Sequence, residues 1–174
     1  ALPARALALL ALTEPGVTVE ALAMWPLGRR DRAILELRER LWGDRVHALA
    51  ACPDCGRQAE LDFRTHDIYA PFASAGPIAI EAAGVSLRLR PLTTRDLLAP
   101  VTNHAQLIAQ CLVGRDAATE GALAVAVDGL TEAALDACAR ALAEADPPAD
   151  IELRLTCADC VAMWDAPFAP AAFV

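Results

Sequence analysis

Apolar residues recur at intervals of three and four along the first third of the chain, which is the spacing of one face of an α-helix. The pattern predicts helices over residues 4–12, 19–24 and 29–42. In the last of these, Ile34, Leu37 and Leu41 share one face, and Gly43 is a typical helix stop. Arginines and acids at i,i+4 spacing occupy the rest of this helix. We therefore expect the stretch from Gly28 to Arg45 to be a solvated, ion-paired face.

The period of the pattern changes to two on either side of two Cys-x-x-Cys pairs. Alternating apolar and polar residues predict strands over residues 46–50, 59–64, 151–156 and 161–168. The chain therefore contains the same predicted unit twice, which is a strand, a cysteine turn and a second strand. Gly56, which follows the first pair, suits a turn with a positive φ angle. Val161 takes that position in the second unit and leaves the geometry of its turn open.

Turn and capping residues define the elements between these two units. Residues 78–82 and 85–90, joined at Ala83-Gly84, predict a third hairpin, which Pro91 ends. Three helices are predicted from their N-caps and from the residues that stop them: Thr93 to Pro100, Asn103 to Gly114, and Thr131 to the prolines after Asp146. The segment 121–129 is apolar without a clear period, so both a short strand and a helix are compatible with it.

The chain has 174 residues, which is enough to bury the core of one domain. Hydrophobic residues make up 56 % of it but aromatic residues only 5 %. We therefore expect small side chains to pack the helices closely around a few large ones. Trp25, Trp42 and Trp164 are the expected large core residues.

Net charge and hydropathy exclude two classes of partner. A net charge of -8 and a pI of about 4.8 argue against nucleic acid, which requires clustered basic residues to displace counterions. No apolar run reaches the roughly 18 residues of a membrane span, so we expect no membrane insertion. Pro3 and Arg5 interrupt the apolar start of the chain, which makes a signal peptide the less favoured interpretation. Because the chain does not begin with methionine, we expect that flanking segments are missing.

Two cysteine pairs are the strongest chemical signal, and they are Cys52-Pro53-Asp54-Cys55 and Cys157-Ala158-Asp159-Cys160. A Cys-x-x-Cys turn brings two thiolates to one ion, and a structural zinc site takes four ligands in a closed tetrahedron. The 101 residues between Cys55 and Cys157 far exceed the roughly 15 to 20 of a compact zinc ribbon. We therefore predict that Cys52, Cys55, Cys157 and Cys160 form one split Zn²⁺ site, which closes only when the chain between them has folded.

Other chemistries of these cysteines stay open. A thioredoxin-like dithiol requires its cysteines at the N-terminus of a helix, whereas both pairs are predicted to lie between strands. A disulfide framework is typical of secreted chains, and a secretory signal is the less favoured interpretation of the start of this sequence. An iron–sulfur centre also takes four thiolates.

Together these elements predict an α+β fold in which helices flank short antiparallel β-hairpins and two zinc knuckles form one zinc-ribbon-like site with four cysteine ligands. Residues 1–43 are expected to form a helical N-terminal segment. Residues 44–174 are expected to form an α+β domain closed by the split zinc site. We expect the two parts to pack as one compact unit.

The remaining candidate residues have ordinary structural interpretations. Cys111 and Cys138 lie in apolar helical stretches, where a free cysteine acts as a small core residue. His47, His66 and His104 occur in unrelated contexts. The sequence contains no metalloprotease, serine-hydrolase or phosphate-loop motif. We therefore predict neither an enzyme nor a small-molecule substrate.

Five stretches of the sequence resemble one protein family. They are the alanine-rich lead from Leu2 to Leu10, Pro26-Leu27-Gly28-Arg29-Arg30-Asp31, Ala51-Cys52-Pro53-Asp54-Cys55-Gly56, the segment from Arg90 to Leu98, and Glu144-Ala145-Asp146-Pro147 followed by Leu153 to Cys160 and Trp164 to Phe168. In this order they look like the small baseplate proteins of T-even phages, which have relatives in bacterial contractile injection systems. The resemblance extends over nearly the whole chain.

The resemblance implies a protein that builds or forms part of a baseplate hub rather than a catalyst. Its partners would be other baseplate or hub subunits. It would act in the bacterial cytoplasm during assembly or remain in the phage or injection particle. Two features depart from the family pattern: a further helical, Arg-rich segment is missing after Val174, and the second knuckle lacks the usual Pro and Gly.

A second functional interpretation uses the cysteine site alone. A zinc-ribbon adaptor or regulator, unrelated to phage particles, would bind another protein through its knuckles. A dithiol oxidoreductase is a third interpretation, and it predicts a thiol that alkylating agents modify in the metal-loaded protein.

Overall fold

A computed structural model describes residues 2–71, 76–82, 84–113, 127 and 129–174. Its helices are α1 (Leu2–Thr13), α2 (Val19–Ala23), α3 (Leu27–Trp42), α4 (Thr94–Leu98), α5 (His104–Gln110) and α6 (Glu132–Ala145). Its strands are β1 (Arg45–Ala51), β2 (Gln58–Arg64), β3 (Ile78–Ala82), β4 (Val85–Leu89), β5 (Glu152–Thr156) and β6 (Met163–Pro167). Short 3₁₀ turns occupy Thr65–Ile68, Pro147–Ala149 and Pro170–Ala172. The ambiguous segment 121–129, apart from Val127 and Gly129, and the helix stop at Gly114 lie outside the described residues.

Within the described ranges, the strands pair as three antiparallel hairpins. β1 pairs with β2 so that Val46 lies opposite Phe63, β3 pairs with β4, and β5 pairs with β6 so that Leu155 lies opposite Trp164. Helices α1, α2 and α3 precede the first hairpin, and α4, α5 and α6 lie between the second and the third. This combination of helices and short antiparallel hairpins confirms the predicted α+β fold. None of the described helices combines the length and the apolarity that crossing a membrane requires.

Buried apolar side chains of the described residues gather in three clusters. One lies between the β3–β4 hairpin and helices α5 and α6, and it includes Cys111 and Cys138, both fully buried as predicted. A second joins α1, α2 and α3, and a third joins α3, β1 and Phe168, which follows β6. The expected tryptophan core is wrong for Trp42, whereas Trp25 packs against the second cluster. The largest fully buried side chains include leucines and no tryptophan. Trp42 is 60 % exposed, and the other two tryptophans are half-buried.

The predicted helix starts are confirmed at the N-caps of α4, α5 and α6, which are Thr93, Asn103 and Thr131. Arg90, which sequence analysis did not single out, connects the first two of these helices. Its guanidinium donates two hydrogen bonds to Asp96, at 2.7 and 2.8 Å, and one to the carbonyl of Gln110 at 2.7 Å. Burial raises the pKa of the Asp96 carboxyl, but hydrogen bonds from Arg90 and Thr93 lower it further than burial raises it. The pKa of Asp96 therefore lies below its usual value.

Part of the Arg-rich stretch of α3 is buried and does not belong to the solvated face that its charges predict. Arg30 and Asp31 are only 9 % and 5 % exposed. Arg30 donates hydrogen bonds to Asp31 at 2.7 and 2.9 Å and to Thr94 Oγ1 at 3.3 Å. Arg38, also 9 % exposed, donates to two carbonyls just beyond the end of the helix. The prediction is wrong for these buried residues because α3 packs against α1 and against the 3₁₀ turns that precede β5 and follow β6. It is confirmed for Arg32, which forms an i,i+4 ion pair with Glu36 at 2.9 Å.

Two distant segments hold the first turn of α3. The N–H of Leu27 donates to the carbonyl of Leu92 at 2.9 Å, and the N–H of Gly28 donates to Asp146 Oδ2 at 2.9 Å. Pro26 occupies the N-cap without a side-chain hydrogen bond, so Asp146 supplies the acceptor that a free helical N–H requires. These contacts cross the expected boundary between residues 43 and 44, and the division itself stays a prediction.

Gly28→Ala is expected to lower the free energy of unfolding by about 1–3 kcal/mol, the usual cost of overfilling a packed interior. A Cβ atom at this position would overlap Asp146 Oδ1 and lie 3.0 Å from Pro148 Cβ, although alanine is the better helix former. Urea unfolding measures the effect, and Arg40→Ala, an exposed position of the same helix, is the matched control. Equal or higher stability of Gly28→Ala would contradict a tight contact at Asp146.

Candidate metal centre

Both cysteine pairs lie at the tips of hairpins, where β1 turns into β2 and β5 turns into β6. The two tips meet, so that the four Sγ atoms lie within 4.8 Å of one another. Cys52 Sγ is 3.6 Å from Cys160 Sγ, and Cys55 Sγ is 3.6 Å from Cys157 Sγ. Both of these distances join one tip to the other. The fold therefore brings together the four residues that the sequence predicts as ligands, and we call them the four-cysteine cluster.

The two turns share one backbone hydrogen-bond pattern. The N–H of the first cysteine donates to the carbonyl five residues further on, at 2.8 Å for Cys52 and 2.9 Å for Cys157. The N–H four residues further on donates back to the carbonyl of that cysteine, at 3.0 Å from Gly56 and 3.1 Å from Val161. The second turn is therefore a copy of the first, although it lacks the proline and the glycine.

Val161 settles the turn geometry that the sequence leaves open. Its φ angle is 62° and that of Gly56 is 71°, so a valine adopts the left-handed conformation that glycine adopts in the other turn. This conformation is an outlier for a β-branched residue and costs roughly 1–2 kcal/mol. Because Val161 is 74 % exposed, burial of its side chain does not offset that cost.

Val161→Gly is expected to raise the free energy of unfolding by about 0.5–1 kcal/mol, because relief of backbone strain exceeds the greater chain entropy of glycine. The reciprocal change, Gly56→Val, is expected to lower it. Chemical unfolding of the metal-loaded protein measures both changes. Val161→Ala is the control, since it keeps a Cβ atom and is expected to change stability less. A Val161→Gly protein that is less stable than wild type would show that this turn is not strained.

The geometry of the cluster suits a tetrahedral metal ion. With zinc–sulfur bonds of about 2.3 Å, the edges of a regular tetrahedron are about 3.8 Å long. The two separations of 3.6 Å between sulfur atoms of opposite tips are close to this value. A disulfide requires sulfur atoms about 2 Å apart, and all six cysteines are unbridged. Iron accepts the same four thiolates, so the geometry identifies the donor set rather than the element.

Burial and hydrogen bonding differ within the cluster. Cys52 and Cys157 are 2 % and 3 % exposed, whereas Cys55 and Cys160 lie at the surface. The backbone N–H groups of Cys160 and Asp159 lower the pKa of the Cys157 thiol to about 7. Neither pair lies at the N-terminus of a helix, where the helix dipole activates the thiols of redox enzymes.

Histidines take no part in the cluster among the residues that the structure describes. His47 lies 3.7 Å from Asp62 and His66 lies 3.2 Å from Asp67, with both imidazoles exposed. His104 is the exposed first residue of α5.

Glu39 of α3 positions the first hairpin, although sequence analysis did not identify it. The hydroxyl of Tyr69 donates to Glu39 Oε1 at 2.5 Å, and the hydroxyl of Thr65 donates to the same oxygen. These hydrogen bonds hold the pKa of Glu39 below its usual value. The contact fixes the 3₁₀ turn after β2 on α3. No local pattern signals it, because the partners of Glu39 lie 26 and 30 residues further along the chain.

Comparison with known proteins relates this arrangement to a family. A family model described as T4 bacteriophage base plate protein matches residues 9–163. The matched range includes both cysteine pairs and the segment that contains Arg90 and Asp96. No curated protein and no solved structure matches the chain.

Proposed function

Because the chain belongs to the family of T4 bacteriophage base plate proteins, we propose that it is a non-enzymatic structural or assembly protein of a contractile phage tail or injection-system baseplate. The family match is the observation that carries this proposal. It extends over residues 9–163 and therefore includes both halves of the four-cysteine cluster rather than one short motif.

In this proposal the four-cysteine cluster holds one structural Zn²⁺ ion. The all-thiolate donor set and the 3.6 Å separations between sulfur atoms support a tetrahedral metal ion, for which zinc is the proposed element. Four protein ligands leave no open coordination position, which supports a structural rather than a catalytic role. The ion would hold the tips of the β1–β2 and β5–β6 hairpins together.

The proposed partners are other baseplate or hub subunits, which the protein meets in the bacterial cytoplasm during assembly. In this proposal it does not bind nucleic acid, insert into a membrane or bind a small-molecule substrate. The net charge of -8 supports the absence of nucleic-acid binding. A zinc-ribbon adaptor unrelated to phage particles is the alternative. The family match over most of the chain supports the baseplate role instead.

Isolation of assembly intermediates tests this proposal. A tagged copy of the protein is expressed in cells that produce the particle, and both intermediates and mature particles are purified with an untagged strain as the control. We expect baseplate or hub subunits to co-purify with the tagged chain. Its presence in mature particles would indicate a structural subunit, and its loss before maturation an assembly factor. Absence from both fractions would contradict the proposal.

A further inference from the structure

An open groove runs between the two hairpins that carry the cysteines, and we call it the inter-hairpin groove. It has a volume of about 620 Å³. Residues 60–63 of β2 and 152–155 of β5 line it, together with Ile68, Tyr69 and Pro147. Strands from both hairpins therefore form its walls.

Consecutive residues line each wall, which places the groove along strand edges rather than against sheet faces. Neighbouring residues of a strand point to opposite faces, so a cavity on one face would be lined by every second residue. A cavity along the edge is lined by all of them. The backbone N–H and carbonyl groups at the outer edges of β2 and β5 therefore face the groove.

Both edges lack a strand neighbour within the described ranges, since β2 pairs with β1 alone and β5 with β6 alone. An unpaired edge can accept an extended segment as an added strand. Because β2 leaves the four-cysteine cluster and β5 enters it, a segment between them would be antiparallel to one wall and parallel to the other. Such a segment would join the two hairpins into one continuous sheet.

Contacts at two places fix the walls relative to each other. The four-cysteine cluster joins the tips of the hairpins. Away from the tips, the rings of Phe63 in β2 and Phe168 after β6 meet edge to face, with centroids 5.5 Å apart. A groove that is already formed loses less conformational entropy when a ligand binds.

The side chains around the groove favour an occupant that is both apolar and basic. Half-buried apolar side chains line both walls: Leu61, Phe63, Leu153 and Leu155. Five carboxylates line it as well: Glu60, Asp62, Asp67, Asp150 and Glu152. Three of these charges already have partners. Asp62 accepts hydrogen bonds from Arg45, Asp67 accepts the N–H of Arg64 at 2.8 Å, and Arg154, the basic side chain in the lining, donates to Asp165. The groove therefore carries an excess of negative charge.

We propose that the inter-hairpin groove binds an extended segment of a partner protein in which apolar residues alternate with lysine or arginine. The backbone of this segment pairs with the edges of β2 and β5. Its apolar side chains cover the half-buried leucines, and its basic side chains lie against the carboxylates. This inference goes beyond the baseplate role, because it identifies the partner by its chemistry and holds whatever particle that partner belongs to.

Titration of the metal-loaded full chain with synthetic peptides tests the inference, with fluorescence anisotropy as the readout. The probe is a labelled peptide of alternating valine and lysine, and we expect it to bind with a Kd in the micromolar range, about 1–100 μM. A peptide with the same residues arranged in two blocks, and one methylated at every valine amide, are each expected to bind at least about tenfold more weakly. The first control removes the alternation, and the second removes backbone donors without changing charge.

Two charge variants locate the binding site. Glu60→Lys combined with Glu152→Lys is expected to weaken binding of the alternating peptide by about tenfold or more. Glu20→Lys combined with Glu144→Lys changes the net charge equally at exposed positions outside the groove and is expected to bind like wild type. The proposal would be overturned if the alternating peptide does not bind with a Kd below about 1 mM. It would also be overturned if the methylated peptide binds equally well, or if both charge variants lose the same amount of affinity for the alternating peptide. Self-association of the chain without peptide binding would assign the groove to a second copy and would overturn it as well.

Discussion

Cys160→Ser is expected to release the bound metal and to lower the melting temperature by about 10 °C or more. A structural zinc ion contributes on the order of 10 kcal/mol of apparent binding free energy near neutral pH. Loss of even about 3 kcal/mol lowers the melting temperature of a chain of this size by roughly 10 °C. The two cysteine pairs are separated by 101 residues in sequence. Without the ion, the tips of their hairpins are no longer joined through a shared metal. Metal content by mass spectrometry and melting by circular dichroism, both on the same samples, measure the effect.

Cys138→Ala is the matched control for this experiment. Cys138 is fully buried in the core near α5 and lies outside the four-cysteine cluster, so its loss is expected to cost stability while the metal content stays unchanged. Wild-type protein treated with a chelator is expected to melt like Cys160→Ser. A Cys160→Ser protein with wild-type melting and wild-type metal content would contradict a shared site.

Arg30→Met is expected to lower the free energy of unfolding by about 3–5 kcal/mol, the usual cost of leaving one member of a buried ion pair alone. Asp31 would keep its carboxylate in the interior without the two hydrogen bonds that Arg30 donates. Arg40→Met, at an exposed position of the same helix, is the matched control and is expected to change stability by less than about 0.5 kcal/mol. Urea unfolding compares the two variants. Similar stabilities would contradict a structural role for the buried pair.

The stability lost in Arg30→Met is also expected to depend on pH. Burial raises the pKa of Asp31, and its interactions with Arg30 lower it, so removal of Arg30 is expected to raise this pKa further. A carboxyl group whose pKa is raised by folding destabilises the folded state as the pH rises above its value in the unfolded chain, about 3.9. The difference between variant and wild type is therefore expected to be smaller near that pH than near neutrality. Arg30→Met combined with Asp31→Leu is expected to remove this pH dependence.

The cysteine hairpins could be predicted from the sequence because their signals are local. A period of two, a Cys-x-x-Cys turn and a second period of two identify each unit within about twenty residues. The N-caps at Thr93, Asn103 and Thr131 are local signals of the same kind. The resemblance to baseplate proteins, which rests on motifs distributed along the chain, is confirmed by the family match.

The burial of charged residues in α3 could not be predicted in the same way. Charged side chains are usually solvated, and one of the two residues that accept hydrogen bonds from Arg30, Thr94, lies 64 positions away. Helical periodicity also places Leu41 on the apolar face, whereas it is 55 % exposed in the structure. The faces of α3 are set by its contacts with α1 and with the 3₁₀ turns around β5 and β6, which sequence spacing does not record.

The geometry of the second knuckle was beyond sequence reasoning for a different physical reason. Propensity disfavours a left-handed valine, yet Val161 adopts this conformation at a φ angle of 62°. The hairpin and the turn's hydrogen bonds determine the backbone there, so tertiary structure overrides local preference. The inter-hairpin groove likewise depends on how the two hairpins pack together, and the sequence of either hairpin alone does not predict it.

X-ray absorption spectroscopy at the zinc edge, combined with metal analysis of the purified chain, tests the split metal site most directly. One zinc ion per chain, surrounded by four sulfur atoms at about 2.3 Å, is the predicted result, because it requires both Cys52-Cys55 and Cys157-Cys160 on one ion. The split metal site would be contradicted by zinc that is bound by two sulfur atoms and by nitrogen or oxygen ligands. It would also be contradicted by protein that folds fully without stoichiometric zinc.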